Sequence, residues 1–228
     1  MDATLLLLAD GRFPAGAHAH SSGLEAAVAA GLVTGLADLE AFLRGRLATA
    51  GLVGAAFTAA AHRAGTVGPT ADRRDVLARL DAELDARTAA PALRAVSRRQ
   101  GRALLRAGRA IWPQGRFADL PGNAAGPHQP LVLGLVGVAA GIGPAEVAMV
   151  ATHGAVTGPA SAAVRLLGLD PYQVQALLIR LAPICDRTAA AAAVAAAGPP
   201  EQLPAGSAPL ADIHSEVHAT WEVRLFAS

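Results

Sequence analysis

Residues 128–141, HQPLVLGLVGVAAG, constrain the fold more than any other stretch of the chain. They contain no Asp, Glu, Lys or Arg, their apolar side chains fall on every side of a helix, and glycines stand at 134, 137 and 141. A helix apolar all round has no face to offer water, so it belongs in the centre of a bundle or in a subunit interface. The glycines would let another helix approach closely. Elsewhere Ala, Leu and Arg recur at helical spacing and β-branched alternation is scarce. The expected fold class is all-α, a single-domain helical bundle of about ten helices with proline- and glycine-rich linkers and a flexible C-terminal tail.

Local signals divide the chain. A short apolar run, Leu5 to Leu8, precedes a Gly/Pro-rich turn holding His18 and His20. Ser22 as N-cap, with Glu25 three residues later, predicts a capping box and a helix ending at Gly31. Leu36, Leu39, Leu43 and Leu47 continue a helical stripe past Gly51 towards His62, with a kink or division expected at Gly51 and Gly54. Gly65 to Pro69 reads as a loop. Asp75, Arg79, Glu83 and Arg87, four apart beside Leu77, Leu80 and Leu84, then predict a helix with a solvated outer face.

From Pro91 to Gly108 a further helix carries Arg94, Arg98, Arg102 and Arg106, and no acid occurs between Pro91 and Ala118. Alone, that stripe could meet phosphates. The mixed-charge neighbour, the lack of interleaved aromatics and the net charge of +1 favour internal salt bridges or a protein interface. Residues 112–127 read as a linker. Pro144 to His153 and Gly158 to Leu167 are expected as separate helices, the second carrying Arg165, and Pro171 opens another that runs to Cys185 or beyond with Leu177, Leu178, Leu181 and Ile184 facing inward. The four prolines and two glycines of residues 198–209 predict a tether. Residues 210–228 are expected to be a helix and tail whose ordering depends on a partner.

The chemistry missing from the sequence is as informative. All 19 basic residues are arginine, which excludes a phosphate-binding or Schiff-base lysine. Cys185 is alone, and neither GxSxG nor GxGxxG occurs. In an apolar helical run its place is the core. His18 with His20, and His214 with His218, are spaced so that either pair could hold a divalent metal, but two ligands do not make a structural site. Surface or interface histidine is the favoured reading of both pairs. With 16% charged residues and a +1 net charge, no polyanionic partner is expected. The N-terminus lacks a basic leader region, and the apolar run Leu131 to Gly143 is shorter than the roughly 20 residues of a membrane span. A cytoplasmic protein acting without nucleic acid or membrane is expected.

The opening LLADGRFPAGAHAHSSGLEAAVAAG resembles the N-terminal signature of the urease accessory protein UreF family: a leucine run, an fPxG turn and an hSxGLE helix start. PALRAVSRRQGRALLRAG resembles the family's arginine helix, HQPLVLGLVGVAAGI its H-x-x-x-x-G helix, AAVRLLGLDPYQVQALLIRLAP its RLLPLGQ segment, and RLFAS its closing RLFxS. The resemblance implies a helical, dimeric, non-enzymatic scaffold that bridges UreD/UreH and the UreG GTPase and modulates GTP-dependent nickel insertion into the urease apoprotein, with no cofactor of its own. A direct nickel carrier using the histidine pairs is the alternative. By position, Arg224 matches the tail arginine of the UreG-recruiting surface, and His18 stands where the family has Tyr or Phe. His20, Ser22, Glu25, Leu225 and Phe226 complete the implied partner-binding set. Gly168 stands where the family usually has Pro, which predicts a looser helix junction after Leu167.

Overall fold

The computed structural model describes residues 3–14 and 20–226, so His18 lies outside the described residues. Among the described residues ten α-helices follow one another: α1 Ala3–Ala9, α2 Leu24–Ala29, α3 Leu36–Arg46, α4 Leu52–Thr66, α5 Thr70–Arg87, α6 Pro91–Ile111, α7 Gln129–Ala139, α8 Pro144–Leu167, α9 Pro171–Ala195 and α10 Pro209–Ala219. The described residues contain no strand, in keeping with the all-α expectation.

Helix α7 is the centre the sequence demanded. Leu131, Val132, Leu135 and Val136 are buried, and α7 crosses α4 so closely that a Cβ at Gly134 would lie 2.5 Å from the Thr58 carbonyl oxygen and 2.7 Å from the His62 nitrogen. A Cβ at Gly137 would come within 2.9 Å of Val147 on α8. Around this crossing α4, α5, α6, α7 and the first half of α8 enclose one core. The second half of α8, the first half of α9, α2 and α3 enclose another, which includes Phe226. Helix α8 belongs to both. It is long and apolar enough to span a bilayer, but half of its most apolar window is buried within the fold.

Several boundaries differ from expectation for identifiable reasons. The stripe beginning at Leu36 divides at a π-helical turn, Leu47–Gly51, in which Thr49 leaves helical geometry at φ −119° and ψ −105°. The expected loop from Gly65 starts later, because α4 runs to Thr66. Helix α8 is continuous although Pro159 lies inside it. Proline removes the N–H that would bond the Ala155 carbonyl, and Arg46 Nε donates to that oxygen instead, at 3.3 Å. Gly168 closes α8 at φ 64°, a left-handed conformation that proline cannot adopt.

The two linkers are fastened down. In residues 112–127, Phe117 and Asp119 are buried, and Arg73 Nε donates to Asp119 at 2.8 Å. Residues 198–209 do not form a free tether. Pro200 and Leu203 are buried, Arg79 pairs with Glu201 at 2.6 Å, and Arg87 donates to the carbonyls of Glu201 and Leu203. The outer face of α5 is thus partly covered by this segment: Arg79 reaches across the fold to Glu201, and Arg87 does so while keeping the expected pair with Glu83 four residues back along the helix.

Of the α6 arginines, Arg94 and Arg98 are engaged within the fold, Arg94 on the carbonyls of Thr88 and Ala89. Arg98 is buried, donating to Asp81 at 2.9 Å, to Asp85 at 2.7 Å and to the Gly126 carbonyl at 2.6 Å. Burial pulls its pKa down, but the two carboxylates outweigh that and hold it raised. His128, fully buried, joins the same network: its Nε2 lies 2.8 Å from Asp85 and its Nδ1 2.9 Å from the Ser97 hydroxyl. A carboxylate only accepts, so Nε2 carries the hydrogen and Nδ1 accepts from Ser97. Burial lowers the His128 pKa against the opposing pull of Asp85, leaving a neutral ring that ties α5, α6 and the start of α7 together.

Candidate partner-docking site

The chain enters α2 through two consecutive left-handed residues, Ser22 at φ 56° and Gly23 at φ 87°. Left-handed geometry at a non-glycine residue costs roughly 1–2 kcal/mol, so neighbouring contacts must hold it. The expected capping box does not form. Ser21 Oγ, not Ser22, accepts the Glu25 N–H at 3.3 Å, and the Ser22 carbonyl accepts from Arg46 Nη1 at 2.8 Å. Arg46 meets carbonyl oxygens without a carboxylate beside it, and burial of its guanidinium pulls its pKa down to about 10 while the side chain as a whole stays half-buried. It remains a cation at neutral pH, locking the turn to α8.

Freed from capping, the buried Glu25 carboxylate faces the far end of the chain. It accepts the Leu225 N–H at 2.8 Å, the Phe226 N–H at 3.0 Å and a hydrogen bond from His218 Nε2 at 3.0 Å. His218 is fully buried on α10 and its ring lies against Trp221, with centroids 4.6 Å apart. The Phe226 ring enters the second core beneath the Arg165 guanidinium, 4.6 Å from the ring centroid. One carboxylate therefore latches both α10 and the tail. Hydrogen bonds to a charged group are worth about 1.5–3 kcal/mol each, partly offset by the cost of burying the charge.

What the latch turns outward is apolar. Leu210, Ile213 and Val217 lie on the exposed side of α10, followed by Val223 at 84% exposure and Leu225 at 72%. Arg224 stands between them, exposed. Phe226, expected beside Leu225 as a partner contact, is instead 5% exposed and serves as the tail's internal anchor. The chain bends at 225–226, leaving the Leu225 side chain in solvent and turning that of Phe226 into the core.

The structure thus brings Ser22, Glu25, Leu225 and Phe226 into one neighbourhood, with Arg224 at its rim and His20, half-buried, just upstream. His18 falls outside the described residues. His214 is half-buried, and the Nε2 of His218 is committed to Glu25. Among the described residues no three His, Cys, Asp or Glu side chains group as a metal site. Cys185 is buried, and burial pushes its thiol pKa up, as for a core residue. Sequence reasoning missed His218 as the partner of Glu25. His218 lies with Ser215 on the buried side of α10, away from Leu210, Ile213 and Val217, so apolar spacing gave no signal for it.

Comparisons with known proteins agree with this anatomy. The UreF family model matches residues 33–182. The urease accessory protein UreF of Mycolicibacterium vanbaalenii is 44% identical over 226 residues, covering 99% of this chain and 98% of that protein. The UreF of Mycobacterium sp. (strain JLS) is 47% identical over 225 residues with the same coverage, and that of Mycobacterium marinum 45% identical over 226 residues. A six-residue α2 latched to the last residues of the chain, a buried glycine-rich α7 and a full-length match together place the sequence: the chain belongs to the UreF family of urease accessory proteins.

Proposed function

We propose that this protein is a non-enzymatic scaffold of the urease maturation complex, binding UreD/UreH with α10 and the tail and recruiting the UreG GTPase beside Arg224, so that GTP-dependent nickel insertion into urease is regulated. The supporting observation is the latch: a single carboxylate holds α10 and the tail while an exposed apolar edge, Leu210, Ile213, Val217, Val223 and Leu225, is left without cover. Burying such side chains against a partner stabilises a complex by about 1.5–3 kcal/mol each when burial is complete. Nickel in this reading is cargo of the complex. A second copy of the chain belongs to the same reading.

Co-expression with UreD and UreG, followed by size-exclusion chromatography, tests it. Wild-type protein is expected to co-elute with both partners, and Arg224→Ala to retain UreD while losing UreG. Equal UreG recovery with the variant would remove Arg224 from the recruiting surface, and failure of the wild type to bind UreD would overturn the scaffold reading. Calorimetric titration of the isolated protein with Ni²⁺ separates the carrier alternative: micromolar binding lost on His214→Ala or His218→Ala would favour it.

A further inference from the structure

The exposed side of α6 carries charge that the rest of the fold leaves unanswered. Arg99, Arg102, Arg106 and Arg109 stand at i, i+3, i+7 and i+10, so they share one side of the helix, and all four are exposed. No acid occurs from residue 86 to residue 118. The neighbouring arginines are engaged elsewhere: Arg94 on the carbonyls of Thr88 and Ala89, Arg98 on Asp81 and Asp85, Arg116 on the Gly65 carbonyl. Arg102 reaches the Ala125 carbonyl, and among the described residues no carboxylate pairs with any of the four.

Beside this row runs a groove of about 420 Å³ between α6 and residues 117–127, where Arg102, Arg106 and Arg109 face Leu105, Leu120 and Pro121. Its far wall is held in place from three directions. Asp119 is clamped by Arg73, the Gly126 carbonyl accepts from Arg98, and the Phe117 ring is buried. A preformed groove loses little ordering entropy on binding, which favours affinity.

We propose that this groove docks an acidic segment of a protein partner, one that seats an apolar side chain against Leu105, Leu120 and Pro121 while flanking carboxylates meet Arg102, Arg106 and Arg109. Guanidinium groups suit carboxylates through paired, charge-assisted hydrogen bonds. The apolar wall is what separates this occupant from a nucleic acid, whose backbone would leave it uncovered. The chain's +1 net charge and the absence of exposed aromatics for base stacking along α6 point the same way. The surface is separate from the α10 latch. Ala92, whose N–H bonds Glu216 of α10, lies about 25 Å along α6 from Arg109 at 1.5 Å per residue. It stands whether or not the proposal for the tail does.

The test is fluorescence anisotropy on the full chain, with a fluorescein-labelled decapeptide of Glu and Asp around a central Leu-Phe pair. The controls are the same peptide with a Ser-Ser centre, a duplex DNA of about 20 base pairs, and inorganic phosphate as competitor. Saturable binding of the Leu-Phe peptide is expected, weakened by added salt. It should be weakened about tenfold or more in Arg106→Glu/Arg109→Glu and by a similar factor for the Ser-Ser peptide. Both arginines are exposed, so circular dichroism and Tm of the variant should match wild type. If they do not, the single Arg106→Gln and Arg109→Gln variants are read instead, with a loss of about threefold expected in each. Unchanged peptide binding in a folded variant would overturn the proposal. So would tighter binding of the duplex, equal binding of the Ser-Ser peptide, or displacement by millimolar phosphate.

Discussion

The α4–α7 crossing and the α10 latch hold the molecule by opposite means. At the crossing, backbone meets backbone: Gly134 leaves no room for even a methyl group against Thr58 and His62, and apolar residues fill every side. At the latch, one carboxylate and one aromatic ring, with the Ala92–Glu216 hydrogen bond to α6, hold a short helix and tail, with apolar side chains left in solvent. Close packing spreads its stabilisation over many contacts that must be broken together. A latch concentrates it in a few bonds that can open alone. The first region fixes how the core helices cross, and the second fastens His218, Leu225 and Phe226 to Glu25.

The largest effect should come from filling the crossing. Gly134→Ala forces a Cβ against backbone atoms that cannot rotate away, and a loss of about 3 kcal/mol or more is expected. For a chain of this size that is a fall in Tm of about 6–12 °C, read by calorimetry. A variant as stable as wild type would show that the helices separate freely, and the contrast with the latch would fail. Next comes Glu25→Ala. It removes the acceptor of three hydrogen bonds and should cost about 2–3 kcal/mol, confined to α10 and the tail. Hydrogen exchange should report lost protection in residues 210–226 with the crossing unchanged. Loss of protection throughout would mean that the latch is part of the main cooperative unit.

Acid should act on the first region. Burial lowers the pKa of His62 and of His128 below the ordinary value of 6.5. Between the folded and unfolded values the unfolded chain binds more protons, so stability rises with pH through that window. These histidines therefore contribute fully above about pH 6.5, and their contribution is lost as the pH falls below it. Thermal unfolding followed from pH 7.5 to 5 should show a declining Tm. In His128→Gln the decline should be shallower.

Much of this division was legible in sequence. The charge-free, glycine-spaced run at 131–141 announces its own burial, because nothing in it can face water. Long helices with apolar stripes, α5 and α9 among them, follow from spacing alone. The exceptions are long-range polar bonds. Arg46 reaches across 109 residues to the Ala155 carbonyl that Pro159 leaves without its helical N–H, and Arg79 and Arg87 turn a proline-rich tether into a fastened segment. The pairing of Glu25 with residues 225 and 226 spans 200 positions, so no local periodicity could show it, and the same Glu25 satisfies a capping-box pattern that it does not use.

The smallest stability effect should fall on Leu225, and its contrast with Phe226 is the sharpest test of the latch. Leu225→Ser changes a side chain already in solvent and should alter stability by less than about 0.5 kcal/mol. In the complex it should weaken UreD binding, since its burial there is the proposed gain. Phe226→Ala removes a ring buried under Arg165. A core Phe→Ala change commonly costs about 3–5 kcal/mol. Here the loss cannot exceed what docks the tail, because beyond that point the tail detaches and α4–α7 is untouched. A ceiling shared by Phe226→Ala and Glu25→Ala, with no further loss in the double variant, would identify the tail as one releasable unit. Additive losses would mean that ring and carboxylate stabilise separate parts of the fold.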